Sequence, residues 1–117
     1  MLNSLFERLR KRSDFVTVAK AGERYVTPAF IIQAYKRAID GPFRTGITAS
    51  RKVGKAVERN RAKRRLRVLI RTTFPHTGHA GMDYVLIARE EALKRNFALM
   101  EKELVMALLK LHKRLES

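Results

Sequence analysis

Residues 44–71 read RTGITASRKVGKAVERNRAKRRLRVLIR, and the texture of this stretch changes once, at Gly54. Before it, residues 45–50 alternate, with Ile47 and Ala49 opposite Gly46, Thr48 and Ser50, as in a strand with one face turned to a core. After it, from about residue 56 to residue 74, the period is helical. At about 100° per residue, Ala62, Leu66, Leu69, Ile70 and Thr73 share one face, and Asn60, Arg61, Arg64, Arg67 and Arg71 share the opposite one. A strand feeding a helix with an apolar side and a cationic side is the organising unit of the chain.

The charge is concentrated in that helix. Between Arg51 and Arg71 there are ten basic residues and one acid, Glu58, whereas residues 1–50 carry nine and four and residues 72–117 carry seven and six. The middle stretch therefore supplies +9 of a net +15, and the last third is nearly neutral. A surface charged only for solubility mixes its signs. Like charges three and four apart on a helix repel by about 0.2–0.5 kcal/mol per pair, so isolated-helix stability does not account for them. A polyanion docking on this face does.

Composition bounds the rest. A chain of 117 residues, 45% hydrophobic, is long enough for one modest core, and a single domain over 1–117 is expected, with residues 1–8 as a flexible extension. With no Cys there is no disulfide scaffold, thiolate zinc site or cysteine nucleophile. No stretch approaches the ~18 apolar residues of a membrane span. Glu7 interrupts the short apolar start, so a secretory signal is not read there. The expected location is the cytoplasm, with no membrane contact and no obligate protein partner.

Working outward, a first helix is expected from Ser13 as N-cap, with Phe15, Val18 and Ala19 on one face and Gly22 at its end. Residues 2–12 permit either a helical turn or irregular chain. Pro28 and the β-formers of residues 29–36 give a strand, with Phe30, Ile32 and Ala34 facing one way and Ile31, Gln33 and Tyr35 the other. Asp40-Gly41-Pro42 marks a turn. Pro75 is expected to end the basic helix, residues 76–81 to form a loop and residues 84–88 a strand. A last helix over about 91–115 carries the stripe Leu93, Phe97, Met100, Leu104, Leu108, Leu111 and Leu115. The order is α-β-β-β-α-β-α, an α+β sandwich.

These residues resemble the bacterial ribonuclease P protein family. Its mark is a basic helix of pattern R-N-x-x-K-R-x-x-R, preceded by a Gly-containing strand and a K-x-G-x-A-V approach. Here stand Gly46, Ser50, Lys52, Gly54, Ala56 and Val57, then Arg59, Asn60, Arg61, Lys63, Arg64 and Arg67. Leu9-Arg10, Asp14-Phe15 and Gly22 match further out, as do Phe30, Tyr84, Ile87, Ala88 and Arg89, so the resemblance covers roughly residues 9–112. It implies a left-handed βαβ crossover through the basic helix. It also implies a partner RNA that removes the 5′ leader of precursor tRNA by Mg2+-assisted hydrolysis, the ion being bound mainly by the RNA, with no catalytic residue on the protein.

On that resemblance the basic helix docks on the catalytic RNA through Arg51, Lys52, Arg59, Asn60, Arg61, Lys63, Arg64, Arg67 and Arg71. A cleft between the first helix and the sheet takes the leader through Phe15, Gln33, Thr48 and Ser50. The planar fork of Arg suits phosphate oxygens. Asn60 can read a 2′-OH or base edge, or lock the helix start. Phe15 stacks on an unpaired base or is an ordinary core ring. Relatives often carry an aromatic where this chain has Ala19 and Tyr where it has Gln33, so stacking rests on fewer rings. Arg65 falls to the side of the wheel, where it is read as solvated. His76 and His79 lack the further ligands a zinc site needs, so no metal site is read; His112 is expected to be exposed. A structural ribosomal RNA-binding protein is the alternative function, and a protein-only nuclease or DNA-binding module a third.

Overall fold

The structure, a computed structural model, describes residues 7–116. Strand β1 (Glu7–Arg8), helix α1 (Arg12–Ala21) and strands β2 (Glu23–Val26), β3 (Phe30–Lys36) and β4 (Arg44–Thr48) come first. Helix α2 (Ala56–Thr77), strand β5 (Met82–Ala88), a 3-10 turn (Glu90–Leu93) and helix α3 (Phe97–Glu116) follow. The strands form one mixed sheet in the order β1-β4-β5-β3-β2. Strand β4 runs parallel to both β1 and β5, and β3 is antiparallel to β5 and β2. The α+β sandwich expected from the sequence is the fold observed, with α2 as the crossover between the adjacent parallel strands β4 and β5.

Register assigns the two faces. Gly46, Val85, Gln33 and Arg24 lie side by side across the sheet, as do Thr48, Ile87, Ile31 and Val26. These rows face α1, where Val18 packs with Leu9, Val85 and the partly buried Phe15, Tyr35 and Ile87. The alternate rows carry Phe30, Ile32, Ala34, Tyr84, Leu86 and Ala88 into the main core beneath α2 and α3. There Leu66, Leu69, Leu104 and Leu111 are wholly buried, and each would cost about 2–5 kcal/mol if cut to Ala. All five residues expected on the apolar face of α2 are buried.

The start of α2 explains the single acid of the basic stretch. Gly54 takes φ +149°, a conformation L side chains rarely adopt, and a Cβ there would lie 2.8 Å from that of Glu58. The turn thereby brings the Glu58 carboxylate back to accept the Lys55 amide at 2.8 Å, which also places a negative charge at the positive helix end.

Four expectations are corrected. Helix α1 starts at Arg12 with Lys11 at its N-cap, two residues before Ser13, which lies inside the helix. The Gly22 amide still closes that helix on the Val18 carbonyl. Pro75 lies inside α2, which runs on to Thr77. In the last turn Pro forfeits one backbone bond, and the Gly78 amide restores closure on the Phe74 carbonyl at 2.8 Å. The final helix is two pieces, because the Asn96 side chain accepts the Leu99 amide at 3.1 Å and caps a new start. Residues 7 and 8, expected within a flexible extension, form β1 against Arg44 and Thr45, and Leu9 beyond them is buried; the rest of that extension lies outside the described residues.

Candidate nucleic-acid interface

Two populations of cation separate on contact. Arg37, Arg44 and Arg95 are held by acids, and Arg65 and Arg89 by backbone carbonyls. Among the described residues, by contrast, Arg51, Lys52, Arg59, Arg61, Lys63, Arg64, Arg67 and Arg71 have no side-chain hydrogen bond or ion pair. Arg51 and Lys52 project from the turn before α2, Asn60, Arg61, Arg64 and Arg71 are exposed, and Arg59, Lys63 and Arg67 are half-buried along the helix. The Asn60 side-chain amide has no internal hydrogen bond either, and the helix start is locked by Glu58 instead. Arg65, read from the wheel as solvated, turns inward to the chain following β5.

Lys63, Arg67 and Arg71 form one wall of a groove of about 780 Å3, and Arg8 of β1 lines it with Arg10 and Lys11 from the chain that follows. Its apolar lining includes Leu9, Phe15, Ile47 and Ile70. Arg44 lines it too, fixed from behind by Asp83, whose hydrogen bonds raise the guanidinium pKa further and keep it charged. Sequence reading missed Arg8, Arg10, Lys11 and Arg44. Their basic character was visible, but only the β1–β4 pairing carries the N-terminal segment alongside α2. Seven cations against Glu7 and Asp14 are the wrong donor set for Mg2+ and the right one for phosphate.

The expected leader residues do not all meet in one place. Phe15 is half-buried and lies directly over Gly46: a Cβ on Gly46 would stand 2.5 Å from the ring. Phe15 thus lines the groove and also packs against the small cluster under α1. Thr48 continues the α1 side of the sheet beside the partly exposed Ile87 and Ile31. Ser50 is exposed past the strand end, where its hydroxyl accepts the Lys52 amide at 3.3 Å. Gln33 lies on the same sheet face but is only 9% exposed, so little of its amide is open to solvent. Ala19 is exposed on α1 and puts no ring there.

His112, expected to be exposed, is buried. Its Nε2 lies 2.6 Å from the Tyr84 hydroxyl, and its ring stacks on His79 at 3.6 Å between centroids. Burial, then the neighbouring His79, push its pKa down to about 4. His79 is held in turn by Glu116 at 2.9 Å, so it braces the end of α3, while His76 lies exposed in the last turn of α2. Among the described residues no three of His, Cys, Asp and Glu come together as metal ligands, and no helix is long and apolar enough to cross a membrane.

The family model for ribonuclease P matches residues 4–112. The ribonuclease P protein component of Ruegeria pomeroyi is 47% identical over 108 residues, covering 89% of this chain and 85% of that one. That of Paramagnetospirillum magneticum is 42% identical over 106 residues, covering 87% and 80%. The ribonuclease P protein of Thermotoga maritima superposes with a TM-score of 0.72 at 34% identity, covering 87% and 94%. That of Staphylococcus aureus gives 0.68 at 31%, covering 86% and 91%. The chain belongs to the ribonuclease P protein family.

Proposed function

We propose that this chain docks on a catalytic RNA subunit through the outer face of α2 and the adjoining groove, and holds the 5′ leader of precursor tRNA while that RNA, with its Mg2+, hydrolyses the phosphodiester. The family membership implies a place in an endoribonuclease complex with an RNA partner. The observation that carries the finer reading is the set of unpartnered cations: eight on one helix and its approach turn, whereas Arg37, Arg44, Arg65, Arg89 and Arg95 are held internally. Each phosphate that replaces a condensed counterion contributes through ion release, so affinity depends steeply on salt.

Arg61, Arg64 and Arg67 present planar donor forks to phosphate pairs, and Asn60 has both a donor and an acceptor for a 2′-OH or base edge. Phe15 offers a ring face to an unpaired leader base, worth about 1–3 kcal/mol, with Thr48 and Ser50 as polar contacts along the strand. Gln33 acts at most through the edge of its amide. The protein holds and orients RNA, and the bond-breaking step belongs to the RNA subunit.

The test is binding of the catalytic RNA across a salt series. Arg61→Ala, Arg64→Ala and Arg67→Ala should each weaken binding and flatten the dependence of log K on log salt by a little under one unit. Unchanged slopes in all three would remove the assignment of that face. Sequencing the RNA that co-purifies with the protein separates this reading from a ribosomal one.

A further inference from the structure

Arg65 sits inside the most basic stretch of the chain yet points away from the groove. At about 100° per residue it lies roughly 200° around α2 from Arg67. Its Nη1 donates to the Ala92 carbonyl and its Nη2 to the Arg95 carbonyl, both at 2.7 Å. Ala92 belongs to the 3-10 turn, and the Arg95 side chain forks in turn onto Glu103 of α3 at 2.9 and 2.6 Å. A continuous run of directional contacts therefore ties the flank of α2 opposite the groove to the chain between β5 and α3.

We propose that Arg65 is a positioning residue for RNA docking: it fixes the rotation of α2 about its own axis, and so aims Arg61, Arg64 and Arg67, without touching RNA. The proposal rests on the reading that this face docks on RNA. The apolar side of α2 is held by Leu66, Leu69 and Ile70, whose attraction to the core is non-directional. Rotation by 20° would move a side chain about 6 Å from the axis by roughly 2 Å. That is enough to break a charge-assisted phosphate contact, whose span is about 2.7–2.9 Å. A planar guanidinium held at two donors by two fixed carbonyls opposes such a rotation.

The test compares Arg65→Gln, Arg65→Lys and Arg64→Gln in binding the catalytic RNA, well below the melting midpoint of each variant. If Arg65 positions the helix, Arg65→Gln binds about 5-fold or more weakly, with a salt slope lowered as the misaimed arginines lose phosphates, and Arg65→Lys loses affinity and slope alike although it keeps the charge. The loss should shrink when Arg61, Arg64 and Arg67 are already Ala, because fewer phosphate contacts remain to be aimed. A loss in Arg65→Gln that persists undiminished when Arg61, Arg64 and Arg67 are already Ala makes Arg65 a phosphate contact in its own right and overturns the proposal. So does full affinity in a folded Arg65→Gln protein of lower melting temperature, which leaves Arg65 a stability role alone. Failure of the docking reading looks different: Arg64→Gln itself then changes neither affinity nor slope.

Discussion

Arg44 and Asp83 meet side by side, Nε on Oδ1 at 2.8 Å and Nη2 on Oδ2 at 2.6 Å, from directly paired positions of β4 and β5. Arg37 adds a third bond, Nη1 on Oδ1 at 2.7 Å. The carboxylate is only 3% exposed, so one buried acid holds two cations, and Arg44 keeps an edge toward Asp14 at 3.7 Å and the groove.

Asp83→Asn should therefore cost about 2–4 kcal/mol, since it removes the buried charge that Arg44 and Arg37 share, although Arg37 keeps the Ile39, Met82 and Pro42 carbonyls. Urea denaturation reads the loss. A change below about 0.5 kcal/mol would mean that water already satisfies both arginines.

Phe15 and Gly46 make a second linked pair. Phe15→Ala should lower affinity for leader-bearing precursor by about 1–3 kcal/mol and leave mature tRNA, which lacks the leader, nearly unaffected. Gly46→Ala should mimic it in part, because the added methyl displaces the ring. Equal losses for both RNAs, with a stability drop of about 3–5 kcal/mol in Phe15→Ala, would make the ring a core residue instead.

The basic helix was legible because its apolar face repeats with the helical period and Gly54 marks the turn before it. The strands showed through alternation. What stayed hidden needed partners distant in sequence. A two-residue strand such as β1 shows no alternation, and only its pairing with Arg44 and Thr45 reveals the groove. The stripe of α3 keeps step from Leu93 to Phe97, so the Asn96 cap between them left no hydrophobic trace. Arg65 and Arg64 look alike in a sequence, and only the Ala92 and Arg95 carbonyls distinguish them. His112 follows Leu108 by four, on the flank of the stripe, and its burial is decided by Tyr84, 28 positions away.

Gln33 tests the sheet face directly. The alternation correctly opposed it to Ile32, and the sequence reading expected a Tyr at this position to add a stacking platform. With 9% exposure beside Val85, a larger ring should overpack the α1 face instead. Gln33→Tyr should destabilise by about 1–3 kcal/mol and leave precursor affinity no tighter. A tighter complex with an unchanged melting temperature would show that the site opens readily enough to accept a ring.

His112 gives the protein an acid-sensitive end. Tyr84 accepts the His79 amide at 3.0 Å, which leaves its own proton for Nε2 of His112, and burial keeps the phenol pKa raised so that this donor persists. His79 and Glu116 are the other titratable groups packed around the ring, and burial outweighs the pull of Glu116 toward protonation. The folded state therefore holds His112 neutral down to about pH 4, whereas the unfolded chain protonates near 6.5. Between those values the unfolded state binds more protons. The contribution is complete above about pH 6.5 and declines as pH falls toward 4, by on the order of 2–3 kcal/mol. His112→Gln removes the titration while keeping an acceptor for Tyr84, so its stability curve should be flatter than the parent's by that amount over this window. Parallel curves for the two proteins from pH 7 to pH 4 would show that His112 protonates in place, and that the stack on His79 tolerates the charge.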